Sequence, residues 1–295
     1  MRRNFSLLMG AAMAVIVLTG CAEVTNKKGE NEKQWIQGLL GVRIEGSTNY
    51  VTKEFNVKDF DELVVKGPMD VNYVQRSGKR AVQVNTSDNL MNLVDVHIKG
   101  RTLYLALKPT ASISFKRMDI QVIGGPLKKV TLAGSGDFTM REGMRVDGFA
   151  FNLIGSSDVE ISKLECGHSL NVTIAGSGDV TFHDLKTSEA NMAIAGSGSV
   201  NGDGLRVSSL SATVSGSGDF CLKGEAGDVS LAIAGSGDIE ADQLPADDVD
   251  ASVSGSGSIT CHARKSLNAQ VSGSGRIGYL GNPAEVSKSK RVEKL

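Results

Sequence analysis

The chain has 295 residues, with 32 Lys and Arg set against 33 Asp and Glu, and it is 40% hydrophobic but only 5% aromatic. That balance excludes a protein that grips nucleic acid through bulk positive charge, and one dominated by a long charged tail. Glycine is abundant at 35 residues while proline stops at 5, which excludes collagen and proline-rich linkers and predicts short strands, tight turns and a core of Val, Ile, Leu and Ala.

Residues 1–20 read as an address. Arg2 and Arg3 precede an apolar run over residues 5–18, too short for a comfortable membrane span and the right size for a secretory h-region. It ends in Leu18-Thr19-Gly20-Cys21. This resembles the bacterial lipoprotein signal, in which the cysteine becomes the lipidated first residue of the mature chain. The resemblance makes Cys21 the lipidation site and the membrane a partner through its acyl chains, each buried CH₂ contributing about 0.8 kcal/mol. Residues 21–48 are polar at first and without period, and read as a tether, with Trp35, Ile36, Leu39 and Leu40 available to dock on the domain.

Residues 49–127 alternate apolar and polar side chains. Leu63 and Val65 precede Gly67-Pro68, Val71 and Tyr73 come after it, and Val94, Val96 and Ile98 lead through Lys99-Gly100 to Leu103, Leu105 and Leu107. The expectation is an all-β segment of less regular coils that caps the C-terminal half of the chain.

From residue 128 to 285 a repeat organises the chain. Gly-Ser-Gly-Asp, or a near copy, begins at Gly134, Gly155, Gly176, Gly196, Gly216, Gly235, Gly255 and Gly273, at intervals of 18 to 21 residues. Taking the first Gly as position zero, position −2 is aliphatic in every copy, from Leu132 to Val271, and position +4 is apolar in every copy, from Phe138 to Ile277. Position −3 is small or polar. Each repeat therefore reads as strand, glycine corner, strand and a looser return, with Leu164, Leu185, Leu205 and Leu244 as a third inward point. One such unit cannot bury its apolar side alone. Copies stacked in register bury a continuous column, which is a parallel β-helix of about 20 residues per coil, with coils about 4.8 Å apart. A β-propeller blade needs about twice that length. The corner glycines are expected to adopt φ > 0, and Ser157, in place of the second glycine, predicts a distorted corner. Residues 286–295 carry Lys288, Lys290, Arg291 and Lys294 and read as a basic tail guarding the last open edge.

Few side chains offer chemistry. Position +3 stacks Asp137, Asp158, Asp179, Asp219 and Asp238, interrupted by Ser199 and Ser258. Neighbouring carboxylates about 5 Å apart repel, so turn amides, solvent or a cation such as Ca²⁺ must offset them, and a carboxylate pair for sugar chemistry is a further alternative. Cys166, Cys221 and Cys261 sit at three different offsets, and no Cys-x-x-Cys occurs, so neither a disulfide nor structural zinc is expected. No cofactor or resident metal is expected, and no catalytic residue.

The order of lipoprotein signal, Phe60-Asp61-Glu62-Leu63-Val64-Val65 with Gly67 and Asp70-Val71, Leu103-Tyr104-Leu105, Ile120-Gln121-Val122 and the serial corners resembles the Bacteroidetes-type family of auto-transporter adhesin, head GIN domain. The resemblance covers roughly residues 53–285. It implies a β-helical lipoprotein of a diderm cell envelope, held at the outer membrane on its periplasmic or outer face. It brings no catalytic residues with it. The expected function is a lipid-anchored binding or adhesion module for a glycan or a surface protein, without nucleic-acid binding. The alternatives are a polysaccharide-active enzyme on the same scaffold and a cation-binding structural lipoprotein.

Overall fold

The computed structural model describes residues 43–108 and 112–295. Residues 1–20, Cys21 and the possible docking residues Trp35 to Leu40 lie outside the described residues. Over the repeats the strands run parallel and in register. Val130 lies beside Phe151, then in succession Val172, Met192, Ala212, Leu231, Ala251 and Ala269. The all-β solenoid is thus observed, with coils of the expected length.

Each coil has three sides. The first is a strand such as Lys129–Gly134, the second a short strand such as Phe138–Met140, and the third merges with the first side of the next coil, as in Met144–Gly155. The period-2 pattern explains the burial. Leu132, Leu153, Ile174, Ile194, Val214, Ile233 and Val253 point inward from the first side, and Phe138, Val159, Val180, Val200, Phe220, Ile239 and Ile259 from the second. Leu164, Leu185, Leu205 and Leu244 fill the third side. Each such side chain contributes roughly 1.5–3 kcal/mol when fully withdrawn from water.

The two corner glycines are there for different reasons. The first sits at φ between +121° and +152° from Gly155 to Gly273, a region costly for any residue with a Cβ. The second has no such φ. It is needed for space, because a Cβ at Gly198 would lie 2.2 Å from the carbonyl oxygen of Gly178 in the coil before. Ser157 does not distort its corner as expected. Gly155 still pairs with Gly176 and Val159 with Val180, and Ser177 N still donates to Gly155 O at 2.9 Å. Since position +2 needs no positive φ, serine meets only a spatial demand there.

The ends depart from simple coils. Glu62–Lys66 and Asp70–Gln75 form a coil that pairs in parallel with Lys129–Gly134 and Phe138–Met140 on one flank. On its other flank lie Thr102–Leu107 and Met118–Gly124. Spatial order therefore inverts chain order: the coil at 62–75 sits between the coil at 102–124 and the first repeat. Beyond it the pairing turns antiparallel. Val94–Lys99 closes one side against Thr102–Leu107, while Ala81–Ser87 and then Tyr50–Asn56 close the other. The segment expected to be irregular coils is thus two true coils and an antiparallel cap, whose outer strand Tyr50–Asn56 carries Lys53 and Glu54 on the open edge.

Two boundaries move. The tether does not reach residue 48, because Ile44–Glu45 pairs with Ile113–Ser114, Arg43 Nη2 donates to Ser114 Oγ at 2.8 Å and Ser47 N donates to Asn89 Oδ1 at 2.9 Å. The basic tail is not separate either. Glu285–Lys288 pairs in parallel with residues 266–269, and Val292–Lys294 with residues 277–279, so the chain ends in a last, short coil.

Candidate functional site: the aspartate ladder and the third-side trough

The position +3 column forms on the outer face at the start of the second side. Asp158 N donates to Asp137 Oδ1 at 3.1 Å, Asp179 N to Asp158 Oδ1 at 3.4 Å, and Ser199 N and Oγ both to Asp179 Oδ1 at 2.8 Å. Asp238 N donates to Asp219 Oδ1 at 2.8 Å and Ser258 N to Asp238 Oδ1 at 2.9 Å. Each aspartate thus accepts the amide of the same position one coil on. Where serine interrupts the column, a backbone carbonyl takes over: Asp219 N turns to Gly198 O at 3.2 Å and Arg276 N to Gly257 O at 3.3 Å. These contacts are the turn-amide bonds expected of aspartate at a corner, and they fasten each corner to the next.

The ladder extends one coil further than the glycine pattern indicated. Asp137 N donates to Asp70 Oδ1 at 3.0 Å. Gly67 has φ +116°, and a Cβ at Gly134 would lie 2.3 Å from its carbonyl oxygen. Gly67-Pro68-Met69-Asp70 is therefore a ninth corner. Met69 in place of the second glycine hid it.

Beside Asp137, Asp158 and Asp179 runs a shallow groove of about 420 Å³, bordered by Thr139, Glu160, Thr181 and His183. His183 Nε2 lies 3.2 Å from Glu160 Oε1 and its Nδ1 3.9 Å from Asp203 Oδ2. Among the described residues no three His, Cys, Asp or Glu side chains converge as a metal site.

A larger trough of about 860 Å³ runs along the third side. Its wall carries Arg145, Glu165, Lys186, Arg206 and Glu225, which pair in register from coil to coil. Its floor is Val146, Cys166, Thr187, Val207 and Ala226. The sequence pattern showed only small polar residues on the outer faces and missed this charged wall. Lys163 Nζ bridges Glu165 at 3.1 Å and Asp184 at 3.4 Å, Arg145 Nε donates to Glu165 at 2.8 Å, and Arg206 pairs with Asp184. Hydrogen bonds from Lys163 and then Arg145 hold the Glu165 carboxyl below the usual range. A carboxylate held ionised in this way is a poor general acid. Burial pushes the Cys166 and Cys261 thiols up to about 12, the opposite of an activated nucleophile. Cys166, Cys221 and Cys261 are all free.

The family model described as "Putative auto-transporter adhesin, head GIN domain" matches residues 59–222 and 172–283. Among solved structures, a "putative lipid binding protein" from Parabacteroides distasonis is 26% identical, with a TM-score of 0.62, over 86% of this chain and 100% of that one. A "putative adhesin" from Bacteroides fragilis is 26% identical, with a TM-score of 0.52, over 85% and 100%. A further "putative adhesin" from Parabacteroides distasonis, at 24% identity and a TM-score of 0.63, shares the fold over 86% and 100%. No curated protein matches the chain.

Proposed function

The chain belongs to the family of the auto-transporter adhesin head GIN domain, and from that premise we propose that it is a non-catalytic binding rod of the bacterial cell envelope, tethered by lipid at Cys21 and binding a glycan or a surface protein along its length. The observation that carries this reading is the third-side trough. It is long, open and lined by side chains that recur once per coil, the geometry suited to an extended polymer rather than a small enclosed substrate. Of the acidic side chains along it, Glu165 is engaged by Lys163 and Arg145, and Glu225 lies 3.9 Å from Arg264 Nη2, pairings that suit charge complementarity along a bound chain better than proton transfer.

The anchor supports the same picture. The cysteine that would carry lipid precedes the domain by a polar stretch, and the described chain enters at the capped end of the rod, beside Ser114. A rod held at that end presents its coils, and last its C-terminal end, to the surroundings. No helix among the described residues is long and apolar enough to cross a membrane, so membrane attachment in this proposal falls to the acyl chains.

The test is a glycan array run beside a reducing-end release assay on the same sugars. Retention of particular glycans without product is the expected result. Release of sugar at enzymatic turnover, of order 1 s⁻¹ or faster, would establish the polysaccharide-active alternative instead. Anchoring is checked separately: labelled fatty acid enters the wild-type protein and not Cys21→Ala.

A further inference from the structure

The repeat inverts its charge at the C-terminal end. Position +3 is Asp or Ser in every coil up to Ser258 and then becomes Arg276. One rung further, Ile277 pairs with Val292 and Ile277 N donates to Arg291 O at 3.1 Å, so Arg291 stacks directly on Arg276 about 4.8 Å away. Lys290 adjoins them. Like charges stacked in this way destabilise a sheet. Elsewhere on the rod several cations stand beside a carboxylate, as Lys265 does beside Asp247 and Arg145 beside Glu165. Among the described residues, no ion pair includes Arg276, Lys290 or Arg291.

Guarding the open edge does not account for this. Arg276 lies on the rung before the last: it pairs with Ser258 on one flank, and on the other its neighbour Ile277 is already covered by Val292. The three cations instead border a pocket of about 380 Å³ with Ser258, Thr260 and Ser274. Its size falls within the range of small-ligand sites, and its walls combine guanidinium forks with hydroxyls. Glu293 stands on one wall and supplies an acceptor for a neutral hydroxyl of the ligand.

We propose that this end pocket binds the acidic group of a charged sugar, with Arg276 and Arg291 clamping a carboxylate or sulfate and Lys290 adding positive charge at the rim. The sugar, as opposed to a free anion, rests on the binding role proposed above. It is favoured over an anionic membrane because the pocket is recessed and carries hydroxyl partners beside the cations, and because it lies at the end of the rod opposite the tether.

The experiment measures binding of the purified protein to a trigalacturonate oligomer, to its neutral galactose counterpart, to inorganic sulfate and to vesicles containing phosphatidylglycerol. The wild type should bind trigalacturonate at least about tenfold more tightly than the neutral oligomer. The preference should be lost in Arg276→Gln/Arg291→Gln, kept in the distant control Lys99→Gln, and weakened by salt. Sulfate should compete. Equal affinity for acidic and neutral oligomers overturns the proposal, as does an unchanged preference in the double variant or binding to vesicles alone. A wild type that binds neutral glycans on the array but shows no acidic preference overturns this pocket and leaves the binding rod standing; a wild type that binds no glycan on the array and no trigalacturonate overturns both. The unfolding midpoint of the double variant should not fall, since removing two stacked like charges relieves repulsion.

Discussion

The repeat coils and the N-terminal cap solve the same burial problem by different means. In the repeats, one residue pattern is used over and over, and neighbours support one another through identical corners. A Cβ at Gly196 would lie 2.1 Å from Gly176 O, and one at Gly216 would lie 2.5 Å from Gly196 O. In the cap, turns such as Gly78 face open space, with nothing within 4 Å of an added Cβ, and antiparallel strands end the stack instead of continuing it. The repeats are therefore rigid and unforgiving at their corners, while the cap tolerates change at its turns. The difference separates what a solenoid needs in order to propagate from what it needs in order to stop.

Gly196→Ala should break the repeats most. It forces a Cβ into φ +144° and into the preceding carbonyl, and should cost about 4 kcal/mol, read as a lower urea midpoint. The matched change in the cap, Gly78→Ala at φ +92°, should cost only about 1 kcal/mol, because strain acts there without overlap. Phe138→Ala comes next, at about 3 kcal/mol. Its ring lies 6.5 Å from Tyr73 and 5.8 Å from Phe151, so it joins the two regions, and its loss should separate their unfolding into two phases.

Asp179→Ala should have a smaller effect, about 1 kcal/mol, through the lost acceptor for Ser199. Asp179→Asn should retain most of the stability, since an amide oxygen still accepts. Chelators should leave the midpoint unchanged, because the ladder is satisfied by backbone amides. The smallest change belongs to Glu165→Gln. Its folded carboxyl is held below 4.5 by Lys163 and then Arg145, so whatever stability it adds is present above that pH and lost as the pH falls through the folded value. The thermal midpoints of variant and wild type should differ slightly at pH 7 and converge as acid protonates the Glu165 carboxyl.

The parts of this fold visible in the sequence are those that recur at fixed spacing. The inward columns at −2 and +4 and the eight glycine corners needed only counting, and the aspartate column came with them. The ninth corner escaped because Met69 replaces the second glycine, and because the chain leaves for the coil at 102–124 before returning at Lys129. The charged wall of the trough escaped for a different reason. Arg145, Glu165, Lys186, Arg206 and Glu225 lie at offsets of 9 to 11 from their corners, since the repeats absorb their length differences on the third side, where the register shifts near Val146 and Gly202. Alternation likewise marks a strand without giving the direction of its neighbour, so the antiparallel cap read as coils. The second glycine of each corner was expected to serve φ, and it serves close approach instead.

The stacking itself can be measured directly by pulsed dipolar spectroscopy, with spin labels at Asn171 and Asn268, exposed positions at the same offset five coils apart. In-register parallel coils predict a single narrow distribution centred at about 24 Å. A centre beyond about 35 Å, or a broad distribution, would contradict the shared column on which the rod, its trough and its end pocket all depend.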